Sequence, residues 1–346
     1  MLDLSAAFDT LDHSVLLNRL EHRFGVNGTV LQWFNSYLSD RTQTVVVDSY
    51  SSMPSELVHG VPQGSVLGPL LFTLYIAPLE EIFRRHGTDY MLYADDSQLY
   101  VICDRPSDSI ATIEGCFAET KQWMQRNVLA LNLDKTELIH FYSTHKKDVE
   151  KLDSVVKLGG ADIAPTTSVR DLGVVLHQTG MMTLHINSIC KSSYFALHRI
   201  GKIRSMLDKN STEKLVHAFI TSRLDYCNSV LQGCPCADLK KLQSVQNAAA
   251  RLIMRCNKSD HISPILFELH WLPIKERIIF KVLLIVFKIL NNQAPDYLSE
   301  LVGPYESSRA NLRSSDQRLL RRVDTSHTNK TYGWRAFSVH APFLWN

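Results

Sequence analysis

The feature that most constrains this chain is a short polar turn between two segments rich in apolar residues, 90–93 and 97–101. Apolar and aromatic residues on both sides of a turn are typical of a β-hairpin, so the sequence predicts a strand, a tight turn and a strand. Asp95 and Asp96 lie together at the exposed tip. Asp is a favoured turn residue, and turn formation alone accounts for the pair. However, two adjacent carboxylates repel each other unless a cation lies between them, which makes the tip a candidate site for a hard divalent ion.

Length and composition set broad limits on the rest of the molecule. The 346 residues are enough for two or more compact domains, and 45% apolar with 21% charged residues is ordinary for a globular protein. The net charge of +2 shows no overall basic excess, so a nucleic-acid-binding groove would have to arise from local arrangement. The sequence shows no signal peptide, and its most apolar window, residues 278–290, is too short to span a bilayer. Seven cysteines without a secretory signal indicate an intracellular protein of the nucleus or cytoplasm, with reduced thiols.

The first half of the chain alternates strand-like and helical patterns. Asp3 is expected at the end of an opening strand, and a helix is predicted from Ser14, which is a good N-cap residue. A second helix is predicted over residues 27–39. The segment Pro62-Gln63-Gly64 then forms a loop before an apolar helix that extends to about Arg84. Glycines in such a loop allow the backbone to approach a ligand closely, so a binding role is favoured over a plain connection.

Beyond the hairpin the same mixture continues. The spacing of apolar residues predicts a long helix over residues 107–129, followed by a turn that carries Lys135 and then a strand. A lone Lys in a turn is most often a solvated charge. A β-like pair is predicted at 155–158 and 169–176, with Leu172-Gly173 within the second segment.

After about residue 178 the pattern becomes helical. Apolar residues recur three and four positions apart in four stretches, at residues 182–206, 211–231, 237–255 and 273–292. Lys and Arg are frequent on their polar faces, which are either ordinary solvated faces or contacts for phosphates. Residues 293–346 are predicted to form a linker and then a short apolar segment, 334–345, that docks back.

In chain order, the pattern is a carboxylate on a strand, a Pro-Gln-Gly loop, a Tyr-Ala-Asp-Asp hairpin, a Lys turn and a Leu-Gly pair. This order resembles the palm of a reverse transcriptase, specifically that of a non-LTR (LINE-type) retrotransposon in the branch related to chicken-repeat and jockey elements. The similar blocks are residues 2–9, 60–69, 93–96, 131–136 and 170–173, with further similarity at 224–229 and 269–273.

The resemblance implies an α+β fold and a division into three parts. Residues 1–177 would form a polymerase palm, an antiparallel sheet backed by helices. Residues 178–292 would form an all-α thumb and connection region, and residues 293–346 a linker and C-terminal tail. The fingers that precede a complete palm are largely absent from this sequence. The resemblance therefore leads us to expect an N-terminally truncated chain with reduced or no activity alone, and the missing N-terminal part of the element's polyprotein as a partner.

The resemblance also implies an activity and its site. An RNA-directed DNA polymerase adds dNTPs to a primer 3′-hydroxyl on an RNA template, and Asp3, Asp95 and Asp96 would be its catalytic carboxylates. Together they would hold two Mg²⁺ ions, with Mn²⁺ as a substitute. One ion would lower the pKa of the primer hydroxyl, and the other would neutralise the triphosphate and the leaving pyrophosphate.

Other positions match the family's nucleotide-binding and primer-binding residues. Phe8 matches an aromatic ring under the sugar that would clash with a 2′-hydroxyl and so favour deoxynucleotides. The remaining matches are Gln63 and Gly64 against the template and nucleotide, Lys135 near the triphosphate, and Leu172 and Gly173 as a primer grip.

Two other functions remain open on the sequence alone. The chain could be a catalytically inactive remnant that binds nucleic acid, or an RNA-directed RNA polymerase, which shares the palm logic. Phe8 argues against the second, because a ring under the sugar disfavours ribonucleotides.

Overall fold

The computed structural model describes residues 1–103, 105–142, 155–305, 318–324 and 333–346. It divides into two compact units, Met1–Leu172 and Gly173–Asn346, each with its own hydrophobic core. The predicted mixed α+β class is confirmed, with nearly all strands in the first unit and mainly helices in the second. The finer division into palm, thumb and tail stays a prediction. Within the described residues, no helix has both the length and the apolar character needed to cross a membrane.

The first unit contains five helices among its described residues. They are α1 (His13–His22), α2 (Gly28–Leu38), α3 (Gly68–Ile76), α4 (Leu79–Arg85) and α5 (Pro106–Arg126). Their apolar faces enclose one main core, in which Leu16, Phe72 and Phe83 are completely buried. Tyr75 is also fully buried, and its hydroxyl donates to the carbonyl of Asn127, so the ring can occupy the core without an unpaired polar atom.

The strands of the first unit are short. They are β1 (Leu4–Ser5), β2 (Thr42–Gln43), β3 (Val46–Val47), β4 (Tyr50–Ser51), β5 (Ser55–Glu56), β6 (Asp89–Tyr93), β7 (Asp96–Tyr100), β8 (Ala130–Leu131), β9 (Leu138–Ile139), β10 (Val156–Leu158), β11 (Ala161–Ile163), β12 (Pro165–Thr166) and β13 (Ser168–Asp171). The antiparallel pairs are β1–β8, β2–β5, β3–β4, β6–β7 and β10–β11, whereas β9 and β12 pair in parallel. The predicted hairpin is confirmed as β6 and β7.

Two local predictions in this unit are wrong, each for a physical reason. Helix α1 begins one residue before Ser14, because the side chain of Asp12 is the N-cap and accepts from the backbone N–H of Val15. The helix predicted to run to Arg84 is two helices, since Pro78 supplies no backbone N–H and stands at the N-cap of α4. The β-like segments predicted at 155–158 and 169–176 are confirmed as strands, and β10 pairs with β11.

The second unit begins with the strand β14 (Val174–His177) and is otherwise helical. Its helices are α6 (Thr183–Ile203), α7 (Lys209–Val216), α8 (Ser222–Asp225), α9 (Cys236–Met254), α10 (Ile262–Glu268), α11 (Ile274–Leu290), α12 (Asp296–Ser299) and α13 (Phe337–Trp345). The helix predicted over 211–231 is interrupted: a π-helical segment, His217–Thr221, joins α7 to α8, and a 3₁₀ turn, Asn228–Leu231, follows.

Long amphipathic faces give the second unit one extended core and a smaller one. Helices α6, α9 and α11 contribute residues that are fully or almost fully buried, among them Ile186, Val245 and Ile278. The smaller core surrounds Val286 and includes Ala341 of α13, so the predicted docking of the C-terminal apolar segment is confirmed. Residues 306–317 and 325–332 of the predicted linker lie outside the described residues.

Candidate active site

The tip of the β6–β7 hairpin carries the two adjacent carboxylates. Tyr93 pairs with Asp96 across the last rung, so Ala94 and Asp95 form a two-residue loop. Ala94 adopts a left-handed conformation with φ +52°, which is uncommon for a residue other than glycine and tightens the turn. Asp95 is half-buried and Asp96 is exposed. The tight loop therefore holds both side chains at the end of the sheet.

Asp3 reaches the same end of the sheet through backbone pairing. The N–H of Leu2 donates to the carbonyl of Ser97 at 2.7 Å, and the N–H of Ser97 donates back at 3.4 Å. In this antiparallel register, the next residues along the two paired segments are Asp3 and Asp96. On its other side the opening segment pairs with β8, where Leu4 lies opposite Leu131. A backbone register thus brings together residues that are more than ninety positions apart in sequence.

The pKa of Asp96 is raised above its ordinary value. Although the side chain is exposed, partial desolvation by the surrounding protein is the largest cause, and the negative charges of Asp95 and Asp3 add to it. The pKa of Asp171, in β13, is raised by burial and by the charge of Asp96. The side-chain amide of Gln98 donates to Asp171 and fixes its orientation. Asp96 therefore lies within electrostatic reach of three other carboxylates, those of Asp3, Asp95 and Asp171, and this repulsion favours a bound cation.

Lys135 is the cation that the structure places beside this cluster. Its Nζ lies 3.8 Å from Oδ2 of Asp3, and its side chain is 70% exposed. The residue ends a short 3₁₀ helix, Leu133–Lys135, whose N-cap Asn132 accepts from the backbone N–H of Lys135. The backbone N–H of Asn132 in turn donates to the carbonyl of Asp3 at 2.9 Å. A backbone hydrogen bond thereby ties the turn that carries Lys135 to Asp3, directly before β1.

The donor chemistry of the tip fits Mg²⁺, although the side chains do not form a finished cage. Among the residues that the structure describes, no three Asp, Glu, His or Cys side chains converge closely enough to hold a metal ion unaided. Mg²⁺ is usually held by one or two carboxylates and completes its octahedron with waters and substrate phosphates. Asp3, Asp95 and Asp96 supply hard oxygen donors whose repulsion the exposed Lys135 offsets only at Asp3. The arrangement is therefore suited to a metal shared with a phosphate-bearing ligand.

Phe8, Gln63 and Gly64 belong to a second group of contacts, between the turn after β1 and the loop before α3. The half-buried ring of Phe8 packs on Phe72 at a centroid distance of 4.9 Å, and the carbonyl of Phe8 accepts from the N–H of Val61. The side-chain amide of Gln63 donates to both carboxylate oxygens of Asp9 at 3.1 Å. Asp9 therefore fixes the loop, and Gln63 and Gly64 stay exposed.

Gly60 explains why this loop needs a glycine before the Pro-Gln-Gly segment. Its φ is +84°, and a Cβ there would lie 2.8 Å from the carbonyl oxygen of Asp9 and 2.9 Å from its Cα. Its N–H donates to the carbonyl of Leu11, and its own carbonyl lies 2.7 Å from Nε2 of His13. Backbone packed directly on backbone thus holds the loop against the turn that carries Phe8 and Asp9.

Leu172 and Gly173 lie where the two compact units meet in sequence. Both have positive φ values, +42° and +84°. A Cβ at Gly173 would come within 3.3 Å of the ring of Tyr226, a residue of the same unit. Consecutive left-handed residues make a sharp reversal of the chain, which accounts for a glycine here. The predicted primer grip remains a prediction.

Asp171 is the residue that sequence reasoning missed. It lies within the quoted block 170–173, but its carboxyl was given no role. The signal was its position directly before Leu172, in a segment already placed near the site. Only the structure shows that the charge of Asp96 acts on it.

The chain is similar to several known proteins. A family model described as "Reverse transcriptase (RNA-dependent DNA polymerase)" matches residues 1–176. Two similar proteins of Drosophila melanogaster are the "Probable RNA-directed DNA polymerase from transposon BS", 25% identical over 266 residues, and that from "transposon X-element", 24% identical over 261 residues. Each alignment covers 74% of this chain and 28% of the relative, so the chain spans little more than a quarter of their length.

Two further proteins are similar to this chain. The "RNA-directed DNA polymerase from mobile element jockey" of the same fly is 26% identical over 198 residues, covering 54% of this chain and 20% of the relative. Among solved structures, telomerase from Candida albicans in complex with a fragment of telomeric RNA matches with a TM-score of 0.34 and 12% identity, covering 86% of this chain and 48% of that one.

Proposed function

The chain belongs to the reverse transcriptase (RNA-dependent DNA polymerase) family of non-LTR retrotransposons, and we propose that it carries the RNA-directed DNA polymerase site of such an element. The predicted recognition of a jockey-like reverse transcriptase is confirmed. The proposed reaction is transfer of a dNTP to a primer 3′-hydroxyl on an RNA template. The observation that carries the proposal is the register that places Asp3 opposite Asp96, beside Asp95 at the hairpin tip.

In the proposed site, Asp3, Asp95 and Asp96 hold two divalent ions, which we assign as Mg²⁺. When bound, such ions activate the primer hydroxyl and neutralise the triphosphate. The three carboxylates supply the negative charge that positions this chemistry at the end of the sheet. Their mutual repulsion adds to the effect of desolvation in raising the pKa of Asp96, and bound cations would relieve it. Lys135 supplies a positive charge beside Asp3, and its side chain is exposed enough to contact a triphosphate.

The second group of contacts is assigned to substrate selection. Phe8 is held on Phe72 and by the Val61 hydrogen bond, so its ring has a fixed support from which it can restrict the sugar position. The exposed Gln63 and Gly64 are proposed to face the template and the incoming nucleotide, and Leu172 with Gly173 the primer end. RNA template, DNA primer and dNTPs are the partners that this assignment requires.

Primer extension on purified protein tests the proposal. With an RNA template, a DNA primer, dNTPs and Mg²⁺, we expect weak template-dependent synthesis, because the chain alone is expected to have reduced activity. Asp95→Asn should reduce that synthesis by at least about a hundredfold, because it removes charge from the proposed metal site without changing shape. Asp89→Asn, at the open end of the same hairpin, is the matched control and should retain activity. Equal activity of both variants would overturn the site assignment.

Sugar selection gives a second readout that separates the polymerase classes. Phe8→Ala should raise ribonucleotide incorporation relative to deoxynucleotide incorporation by roughly tenfold, because the ring no longer excludes the 2′-hydroxyl. A wild-type chain that prefers ribonucleotides would support an RNA-directed RNA polymerase instead. Salt-dependent binding of template and primer without any extension would support the binding remnant.

A further inference from the structure

The second unit has a groove that the proposed polymerase site does not include. It lies between one face of α6 and the segment Leu215–Arg223, and its volume is about 1020 Å³. Its floor is aliphatic, formed by residues such as Ala196, Ile200 and Leu215. None of the residues assigned to catalysis, nucleotide binding or the primer grip lines it.

Two phenyl rings line the groove and are open to solvent. Phe195 on α6 is 64% exposed and Phe219 is 48% exposed, although large apolar rings are usually covered in a folded chain. The guanidinium of Arg199 lies 5.8 Å from the centre of the Phe195 ring, so a cation and an aromatic face are presented together. Exposed rings beside cations are suited to flat ligands that stack and carry negative charge.

Phe219 lies in the π-helical segment His217–Thr221, between α7 and α8. In this segment Ile220 is fully buried in the core, while the neighbouring Phe219 lines the groove. π-Helical insertions cost hydrogen-bond geometry and are frequently found at functional sites.

The charged lining of the groove is entirely basic. Lys191, Arg199, Lys202 and Arg223 line it, and no Asp or Glu does within the part of the chain that the structure describes. Among the residues that the structure describes, none of these four forms an ion pair, whereas Lys209, Lys241 and Arg277 of the same unit pair with Glu268, Asp238 and Asp225. The four cations are thus left available for an external polyanion.

The spacing along α6 indicates a linear ligand. Lys191, Phe195 and Arg199 follow at intervals of four residues and therefore share one helix face. At 1.5 Å per residue, Lys191 and Lys202 are about 16 Å apart along the axis, which is the length of roughly five stacked nucleotides. Phosphates repeating along this face would meet cations, and bases would meet the two rings.

We propose that this groove binds single-stranded nucleic acid, with bases stacked on Phe195 and Phe219 and phosphates bound by Lys191, Arg199, Lys202 and Arg223. Sequence-tolerant single-strand sites combine these two elements, a cationic groove and stacking rings. A duplex hides its base faces and would leave both rings without partners, so duplex binding by the chain should not depend on Phe195 or Phe219. The inference goes beyond the proposed polymerase function, since binding at this groove requires neither metal ions nor catalysis.

Fluorescence anisotropy with a labelled oligo(dT) and the full chain in EDTA tests this proposal. Phe195→Ala and Phe219→Ala should each weaken binding by about tenfold, because each removes one stacking face. Phe195→Trp should bind oligo(dT) at least as tightly as the parent chain does, since indole offers a larger stacking face. Phe267→Ala, which removes an 82% exposed ring on α10 outside the groove, is the matched control and should bind as the parent chain does.

The salt dependence separates the two kinds of contact. Lys191→Ala and Arg199→Ala should each lower the slope of log affinity against log salt by about 0.7, whereas the Phe variants should leave the slope unchanged. Four outcomes would overturn the proposal: no binding of oligo(dT), equal loss with Phe267→Ala, the same loss of affinity for a duplex as for oligo(dT) on Phe195→Ala, or polyglutamate displacing oligo(dT) as well as an unlabelled oligonucleotide does. Binding in EDTA is independent of primer extension, so this test and the polymerase test can fail separately.

Discussion

The two compact units position their important side chains by different means. In the first unit most strands are two or three residues long, and the carboxylates meet through a backbone register and tight turns. In the second unit, the face of α6 that carries Phe195 and Arg199 belongs to a helix whose opposite face is packed into an extended core. The proposed polymerase site therefore depends on backbone contacts at a few tight turns, whereas the groove beside α6 depends on helix packing.

The largest effect is expected from opening a cavity in the helical unit. Ile186→Ala removes a fully buried side chain from α6 and should lower the free energy of unfolding by about 3 kcal/mol, because lost apolar contacts add to the cost of the cavity. Leu184→Ala, on the same helix but 46% exposed, should cost less than about 1 kcal/mol. Urea unfolding measures both values. Hydrogen exchange should show the loss of protection in α6 and α9, because both helices contribute to the core that contains Ile186.

A smaller but more local effect is expected at Gly60. Gly60→Ala forces a Cβ against the backbone of Asp9 and should cost about 2 kcal/mol in unfolding free energy. Gly25→Ala is the matched control: Gly25 also has positive φ, +69°, but no atom lies within 4 Å of its added Cβ. It should cost only about 1 kcal/mol, which is the price of the left-handed conformation. The difference isolates the close backbone approach.

Primer extension with the two glycine variants then extends the comparison to function. Gly60→Ala should impair it more than Gly25→Ala does, because displacement of the loop moves Phe8 and Gln63. Equal stability and equal activity of the two variants would show that backbone contact with Asp9 does not position the loop.

The hairpin and the helices could be predicted from the sequence, but the site could be predicted only through a resemblance. The alternation around residues 90–101 predicts β6 and β7 directly, and apolar spacing predicts α5, α6, α9 and α11 with bounds close to those observed. In contrast, the pairing of Leu2 with Ser97 involves a single bridge between distant segments. No local pattern specifies such a pairing, since strands of two residues carry almost no periodicity. The placement of Asp3 opposite Asp96 therefore required the three-dimensional structure.

The remaining errors arise from competing local interactions. Asp12 and Ser14 are both favoured N-cap residues, and the choice between them depends on geometry: Asp12 accepts from the backbone of Val15 and from the hydroxyl of Ser14. The π-helical segment that contains Phe219 has no sequence signature, because its composition is that of an ordinary helix. The basic groove could not be predicted either, since Lys191, Arg199 and Lys202 on helix faces are equally compatible with simple solvation.

The smallest effect concerns the cap of α1, and it carries a pH dependence. The pKa of Asp12 is lowered by the hydrogen bond from the Ser14 hydroxyl and then by that from the Val15 N–H. A depressed folded-state pKa contributes stability above the unfolded value of 3.8, and that contribution is lost as pH falls through the folded-state pKa. Asp12→Ala should therefore cost about 1 kcal/mol at neutral pH and progressively less in acid.

Urea titrations of unfolding at several pH values test that dependence. Asn27→Ala is the control, because Asn27 stands at the N-cap of α2 without a side-chain cap hydrogen bond and should change stability little at any pH. A cost for Asp12→Ala that persists unchanged below the folded-state pKa would show that packing of the side chain, and not the charged cap, holds this turn beside Phe8. In that case the first unit would depend on side-chain packing at this turn as the helical unit does, and the contrast between the two would be weaker there.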